Sequence, residues 1–429
     1  MRVPSRLLVL AAPLMLWVGA QADEQHRPQR GDEQLKLRKT IDVQGNGLGA
    51  FDISFVDPSI ELYVLADRTN ASVDLFDSEK GRFLGRIGAL CQSKTETDCF
   101  QGVVLVNGKA DNDLSGPDGV VIVDHKEIWA GDGDSRIKVI DIATKSFITT
   151  ISTGGAARVD EMAYDRRDHI LAAANNADSP PFVTLFDTQH KTIVGKLVFQ
   201  TGSANANVDA ENGIEQPQWS PETGLFYVSV PQVGSDPSIG GVSVIDPHTM
   251  QVTRTLQVKN CSPAGLTLGP RHQALLGCSA PFGTPPTTQT LIIVITSTDT
   301  DVDAAVIASV PIGGSDEVWF DKGTQHYFLA ARSNLSNAQP DPILGSVDAR
   351  THTLDPSAAT STTAHSVAAD KNSHLVFVPI GRVPAGSPAG TDPTNPCPTN
   401  GCVAVFRAHP EHFNHDDRDD DSDRVADRD

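Results

Sequence analysis

Seven short segments of the chain place a polar residue before an apolar run, and most of those polar residues are acids. They are Asp52, Asp118, Asp160, Glu215, Asp316 and His365, with Ala264 in the remaining copy, and Glu161 and Glu317 follow one residue later. Carboxylates that recur at one structural position converge when the repeat folds, and converging carboxylates repel unless positive charge sits among them. A bound divalent cation answers that need. An all-oxygen set suits Ca²⁺, Mg²⁺ or Mn²⁺, and His365 would admit a transition metal. The metal set read from the sequence is therefore Asp52, Asp118, Asp160, Glu215, Asp316 and His365. His365, Glu161 and Glu317 are the candidates for moving a proton. Where two acids are adjacent, strand geometry sends them to opposite sides, so one is expected to face the axis while the other caps a neighbouring strand.

The strands that must hold these residues follow from the repeat. The seven segments, such as Phe51-Asp52-Ile53-Ser54-Phe55-Val56-Asp57 and Ser315-Asp316-Glu317-Val318-Trp319-Phe320-Asp321, recur about 42 to 66 residues apart. Each is followed by a second apolar stretch (Leu62-Tyr63-Val64-Leu65-Ala66, Leu225-Phe226-Tyr227-Val228) and then by a third. Several third stretches end in apolar-Asp, as in Val139-Ile140-Asp141, Leu185-Phe186-Asp187 and Val244-Ile245-Asp246. Three or four short strands per repeat, seven times over, predict an all-β fold: a seven-bladed β-propeller of four-stranded antiparallel blades. The innermost strands of such a ring begin near one mouth of a central channel, which is where the recurring acids would meet. The last repeat lacks a fourth strand. Residues 35–43 form an orphan strand before the first blade and are expected to fill that gap, closing the ring without an exposed edge.

Composition narrows the partners. The chain has 429 residues, 54 acids against 34 Lys and Arg, and a net charge of −20, which argues against nucleic acid and anionic membranes. Gly 35 and Pro 28 agree with a turn-rich β protein. Arg2 and Arg6 precede an apolar run at 7–18, and Ala20-Gln21-Ala22 offers small residues at a cleavage site, so residues 1–22 read as a signal peptide. No other stretch is long enough to span a bilayer. A periplasmic or secreted monomer follows, with 23–34 a disordered leader, 35–408 the propeller and 409–429 a disordered tail. From Glu411 onward that tail carries nine acids and three Arg, with His409, His412 and His415 close by. The six Cys fall into local pairs, Cys91/Cys99, Cys261/Cys278 and Cys397/Cys402. An oxidising compartment would close them as disulfides, and their spacing does not fit zinc.

A second polar set follows the second strands: Asp67-Arg68-Thr69-Asn70, Asp132-Gly133-Asp134-Ser135 and Asn175-Asn176-Ala177-Asp178. Its first reading is Asx hydrogen bonding within turns, and Arg68 and Asn176 also lie near enough to the same mouth to contact an anion. Insertions at 91–115, 202–213, 280–289 and 382–400 would roof one end of the ring; 384–398 is rich in Pro, Gly, Ser and Thr and should be irregular. No nucleophile elbow, phosphate loop, dinucleotide fingerprint or haem-attachment motif is present.

The repeated blocks ending Val-Ile-Asp resemble the YVTN-type bacterial seven-bladed propellers over residues 35–408. Glu215-Gln216-Pro217-Gln218-Trp219 resembles the E-x-P-x-W motif of the gluconolactonase/regucalcin family, whose Glu ligates a divalent cation over the channel, and Asp118-Gly119 resembles that family's D-G segment. That family has six blades, and its N-G-L ligand would fall at Ala264-Gly265-Leu266. The resemblance implies an exported, metal-dependent, lactonase-like hydrolase, or a lyase, acting on a small-molecule substrate at the channel mouth. The alternative is a non-catalytic propeller that binds a ligand or an envelope protein.

Overall fold

The computed structural model describes residues 35–93, 95–295, 302–383, 395–397 and 399–408. The expected signal peptide and leader, the tail from 409 and most of the Pro-rich stretch 384–398 lie outside them. Among the described residues there is no α-helix, and the strands form seven four-stranded antiparallel sheets with two short two-stranded hairpins, Leu105–Val106 with Lys109–Ala110 and Leu335–Ser336 with Gln339–Pro340. Six blades use four consecutive main strands from inside to outside. Their inner strands are Ser54–Asp57, Val120–Val123, Met162–Asp165, Pro217–Ser220, Pro263–Leu268 and Val318–Asp321.

The seventh blade closes as the orphan strand predicts. Its inner strand Ala368–Asp370 pairs with Leu375–Ile380, which pairs with Cys402–Arg407, and the fourth place is taken by Lys36–Asp42 from the other end of the chain. Register runs from Lys36 opposite Arg407 to Asp42 opposite Cys402. Inner strands contact their neighbours in unbroken cyclic order, so the blades form a closed ring.

Apolar periodicity explains the layering. Second and third strands such as Leu62–Asp67 and Ser72–Asp77 are buried at every position, because each blade is covered on both faces by its neighbours. Outer strands such as Arg82–Ile87 alternate between exposed and partly buried. Among the described residues the buried side chains form seven apolar clusters, one per blade interface. The first interface, for example, sets Val64, Ala66 and Leu75 against Val120, Ile128 and Ile140. The spacing between inner strands is tight. A Cβ at Gly119 would collide with the Asp160 carbonyl oxygen, and one at Gly265 with that of Asp316.

The strand-end aspartates are turn caps. Asp77 accepts from the backbone N–H of Lys80 at 2.8 Å, Asp141 from Thr144 at 2.6 Å and Asp187 from His190 at 2.9 Å, which satisfies the hairpin turn and ends the strand. All three expected disulfides are formed: Cys91–Cys99, Cys261–Cys278 and Cys397–Cys402. No helix among the described residues is long and apolar enough to cross a membrane.

Candidate functional site at the channel mouth

The ring residues are placed by one repeated backbone hydrogen bond. The N–H groups of Asp52, Asp118, Asp160 and Glu215 donate to the carbonyls of Ala66, Gly131, Ala174 and Ser229 on the second strand of their own blades, at 2.8–2.9 Å. Neighbouring blades are tied at the same level, Ile53 N–H to Asp118 O at 3.2 Å and Glu317 N–H to His365 O at 3.0 Å. The result is a cavity of about 560 Å³ at the mouth where the inner strands begin. Asp52, Asp160, Glu161, Glu215, Ala264, Asp316 and His365 all line it. Asp118 is fully buried behind Arg68 and does not, and Glu317 lines a different cavity at the opposite mouth.

Much of the positive charge that the ring requires comes from the protein itself. Arg68, buried at 4% exposure, bridges Asp52 and Asp118, with its Nε 2.9 Å from Asp118 Oδ1. Arg158 reaches Asp160 at 2.9 Å and Asp52 at 3.6 Å, and its Nε donates to Asn176 Oδ1 at 3.1 Å. Asn176 in turn donates to Asp160 Oδ2 at 2.7 Å and Glu215 Oε2 at 3.2 Å. Arg332, more exposed, pairs with Asp316 at 2.9 Å. The turns after the second strands therefore do two jobs. Asp67 and Asn70 hold each other through Asx hydrogen bonds at 3.1 and 2.6 Å, while Arg68 and Asn176 point into the ring. The sequence reading missed Arg158 and Arg332. Arg332 does carry a repeat signal, because it follows its second strand sixteen residues past the ring acid, as Arg68 and Asn176 do; the only mark of Arg158 is its place two residues before Asp160.

His365 is fixed on three sides. Its ring stacks on Phe51 at 4.5 Å, its Nδ1 lies 2.9 Å from the Thr363 carbonyl and its Nε2 lies 3.3 Å from Asp52 Oδ1. Both ring nitrogens thus face oxygen acceptors.

Asp52 differs electrostatically from Asp118, Asp160 and Glu215; even Asp118, which also meets Arg68, is raised well above its ordinary range by burial. Burial alone would raise Asp52, but Arg68, aided by His365 and Arg158, overrides it and holds the carboxyl well below the usual range. Across the ring burial wins: Asp160 is pushed up to about 6 against the pull of Arg158. Glu215 and Glu161 lie well above their ordinary range, first through burial and then through repulsion from Asp160 and Asp316. Asp160 Oδ1 and Glu161 Oε2 are buried without a hydrogen-bond partner.

The paired-acid expectation holds in blade six and fails in blade three. Glu317 caps the next blade, its Oε2 accepting from Val367 N–H at 3.2 Å and from the Ser366 hydroxyl. Glu161 has no such partner. Its counterpart position in the next blade is Pro217, which has no N–H to give.

Two of the four insertions reach this mouth among the described residues, while most of 382–400 lies outside them. Asn112 and Asn212 reach the cavity wall, and 209–213 lines an adjoining polar cavity of about 660 Å³ that shares Arg158, Asn212 and Glu215 with the first. Three potential ligand atoms come within 4.8 Å of one another only at Cys91/Glu96/Cys99 and Glu61/Asp77/Glu79 among the described residues, and the ring acids are spread more widely.

A solved structure shares this architecture. A chain of a solved structure described as "Crystal Structure of Mitotic Checkpoint Complex" superposes with a TM-score of 0.57, covering 92% of this chain and 99% of that one. This chain is a seven-bladed β-propeller. At 10% identity the likeness is one of fold alone. No protein-family profile matches the sequence, and no curated protein matches it.

Proposed function

We propose that this propeller is an exported binding protein whose first mouth takes a hydrated divalent cation on its acidic side and a small polar molecule beside it. The observation that carries this is the group Asp160, Glu161 and Glu215. The three carboxyls are set side by side, and two of their oxygens are buried without a partner. A cation would supply the missing countercharge. The donors fit it in kind, since all are oxygens. Their spread favours an ion that keeps part of its water shell, as Mg²⁺ and Ca²⁺ do, over a stripped transition metal. Asp160, Glu215 and Asp316 would hold it, while Asp52, Asp118 and His365 stay engaged with Arg68 and one another.

A divalent cation supplies polarisation of a carbonyl or activation of water, the chemistry of a lactonase-like hydrolase or a lyase. The chain's own contribution is orientation. Arg158 presents fixed N–H donors beside the acidic group, and Asn176 locks Asp160 against Glu215. Three disulfides accord with an oxidising compartment and support export. One observation favours the non-catalytic reading: both His365 nitrogens are occupied, so a proton-transfer role would require Nε2 to leave Asp52.

The test is elemental analysis of protein purified without chelator, followed by thermal melts with Ca²⁺, Mg²⁺ or Mn²⁺ and with EDTA. Stoichiometric metal and a melting temperature lowered by EDTA are expected, with Glu215→Gln releasing the metal; metal-free protein indifferent to all three ions would end the proposal. Metal-loaded protein that opens no member of a small lactone panel would remove the lactonase-like reading.

A further inference from the structure

One residue beyond each ring position, seven residues form a second tier: Ile53, Gly119, Glu161, Gln216, Gly265, Glu317 and Ser366. Gly119 and Gly265 leave room for the neighbouring backbone. The long polar members share one task. Gln216 Oε1 accepts from Leu266 N–H at 2.8 Å and Val318 N–H at 3.2 Å, and Glu317 Oε2 accepts from Val367 N–H at 3.2 Å. Leu266 and Val367 stand two residues past the ring position of the next blade. For Glu161 that residue is Pro217, and the device fails for want of a donor. Glu161, only 3% exposed, is left with Oε2 unpartnered.

Glu161 and Ile53 line both channel cavities, so they mark the waist between the two mouths. The cavity at the second mouth measures about 570 Å³, within the range of small-molecule sites. Its walls are aromatic: Phe55 meets Trp319 edge to face at 5.5 Å, and Trp219 and Phe320 stand on neighbouring walls. Trp219 already carries the Arg167 guanidinium at 5.5 Å from its ring centroid. The charged groups lining this cavity are Glu161, Glu317, Glu222 and Lys322. Glu317 is committed to Val367 and Ser366, which leaves Glu161 as the inner acceptor.

We propose that the second-mouth cavity binds a small organic cation, an ammonium carried on an apolar or aromatic body, with the ammonium donating to Glu161 and the body lying against Phe55, Trp219 and Trp319. An unpaired buried carboxyl calls for a charged donor, and aromatic faces attract cations while accepting apolar surface. An anion would meet Glu161 and Glu317, and a neutral alcohol would satisfy the acceptor without the charge. The site opens on a different mouth from the metal reading but shares Glu161 with it at the waist, and the titrations in EDTA and in Ca²⁺ tell the two apart.

Trp219 and Trp319 report on the cavity, because Trp129 is fully buried between blades and the fourth tryptophan, Trp17, belongs to the expected signal peptide outside the described residues. The full chain is titrated, in EDTA and again in Ca²⁺, with phenethylamine hydrochloride, phenethyl alcohol and phenylacetate while tryptophan fluorescence is followed. Saturable quenching by the amine is expected, at least about tenfold weaker for the alcohol and absent for the carboxylate. Glu161→Gln should weaken the amine about tenfold and leave the alcohol unchanged. Pro217→Ala, which restores the missing N–H and occupies Glu161, should weaken the amine in the same way without touching the acid, and it serves alone if the first variant does not fold. Trp319→Ala should weaken amine and alcohol together. No saturable amine binding, equal affinity for amine and alcohol, or amine affinity unchanged in Glu161→Gln or Pro217→Ala would overturn the proposal. Amine binding that survives EDTA while the metal tests fail would separate the two readings.

Discussion

Among single residues, Arg68 holds the channel mouth together. It donates to two carboxyl groups that come from adjacent blades, so its loss would strand both in a desolvated place. Arg68→Met should cost about 3–5 kcal/mol in urea unfolding, the cost of breaking a buried pair on one side. Adding Asp118→Asn should recover part of that. A loss under about 1 kcal/mol would show that water screens the pair.

The acids opposite Arg68 make a pH prediction of the opposite sense to ordinary salt-bridged carboxylates. Asp160, with its ordinary value of 3.8 pushed up to about 6, keeps a proton in the fold that the unfolded chain gives up near pH 4. Its contribution is full below 3.8 and lost as pH rises through about 6, and Glu161 and Glu215 act in the same direction. Asp52, held low, contributes above its unfolded value and loses that only in strong acid, outside this window. In EDTA the unfolding free energy should therefore fall between about pH 4 and pH 7, by on the order of 2–3 kcal/mol for Asp160 alone. Asp160→Asn should flatten the slope; a profile level across that range in the parent protein would contradict the assignment.

Among the elements, the closing strand Lys36–Asp42 matters more than its length suggests. It is mostly exposed along its outer side, but it covers the free edge of Cys402–Arg407 and brings Ile41 and the following Val43 into the interface between the last and first blades. Deleting residues 35–43 should lower the melting temperature by at least about 5 °C, whereas deleting residues 409–429 should leave it nearly unchanged. Equal effects in differential scanning calorimetry would remove the closure argument. The elements were also the most legible part of the sequence. Apolar runs bounded by Gly, Pro and Asp marked the blades, because a strand covered on both faces must be apolar throughout and its turn needs an Asx cap.

Across the whole molecule, seven similar interfaces share the apolar burial, and no single core dominates. The rigid ring lets two mouths carry different chemistry on one axis. The first is polar and acidic, with arginines set among its carboxylates, and the second is aromatic. Part of the net charge of −20 is concentrated at that first mouth, where six carboxyls meet three guanidinium groups.

Local pattern was enough for the repeat itself: seven blades, the orphan strand that closes them, the cysteine pairs and the positions of the ring acids. Periodicity and turn chemistry act over a few residues, so they are written directly in the chain. Arg68 and Asn176 were legible as neighbours of the mouth for the same reason. Which acids are neutralised and which are not was settled by the assembled ring. Arg158 sits beside Asp160 in sequence yet also reaches Asp52 in another blade, and Asp118 withdraws behind Arg68. Glu161 is orphaned by a proline that only blade packing brings opposite it. Pairing of charge and of hydrogen bonds depends on distances between blades, and no local pattern of residues contains those distances.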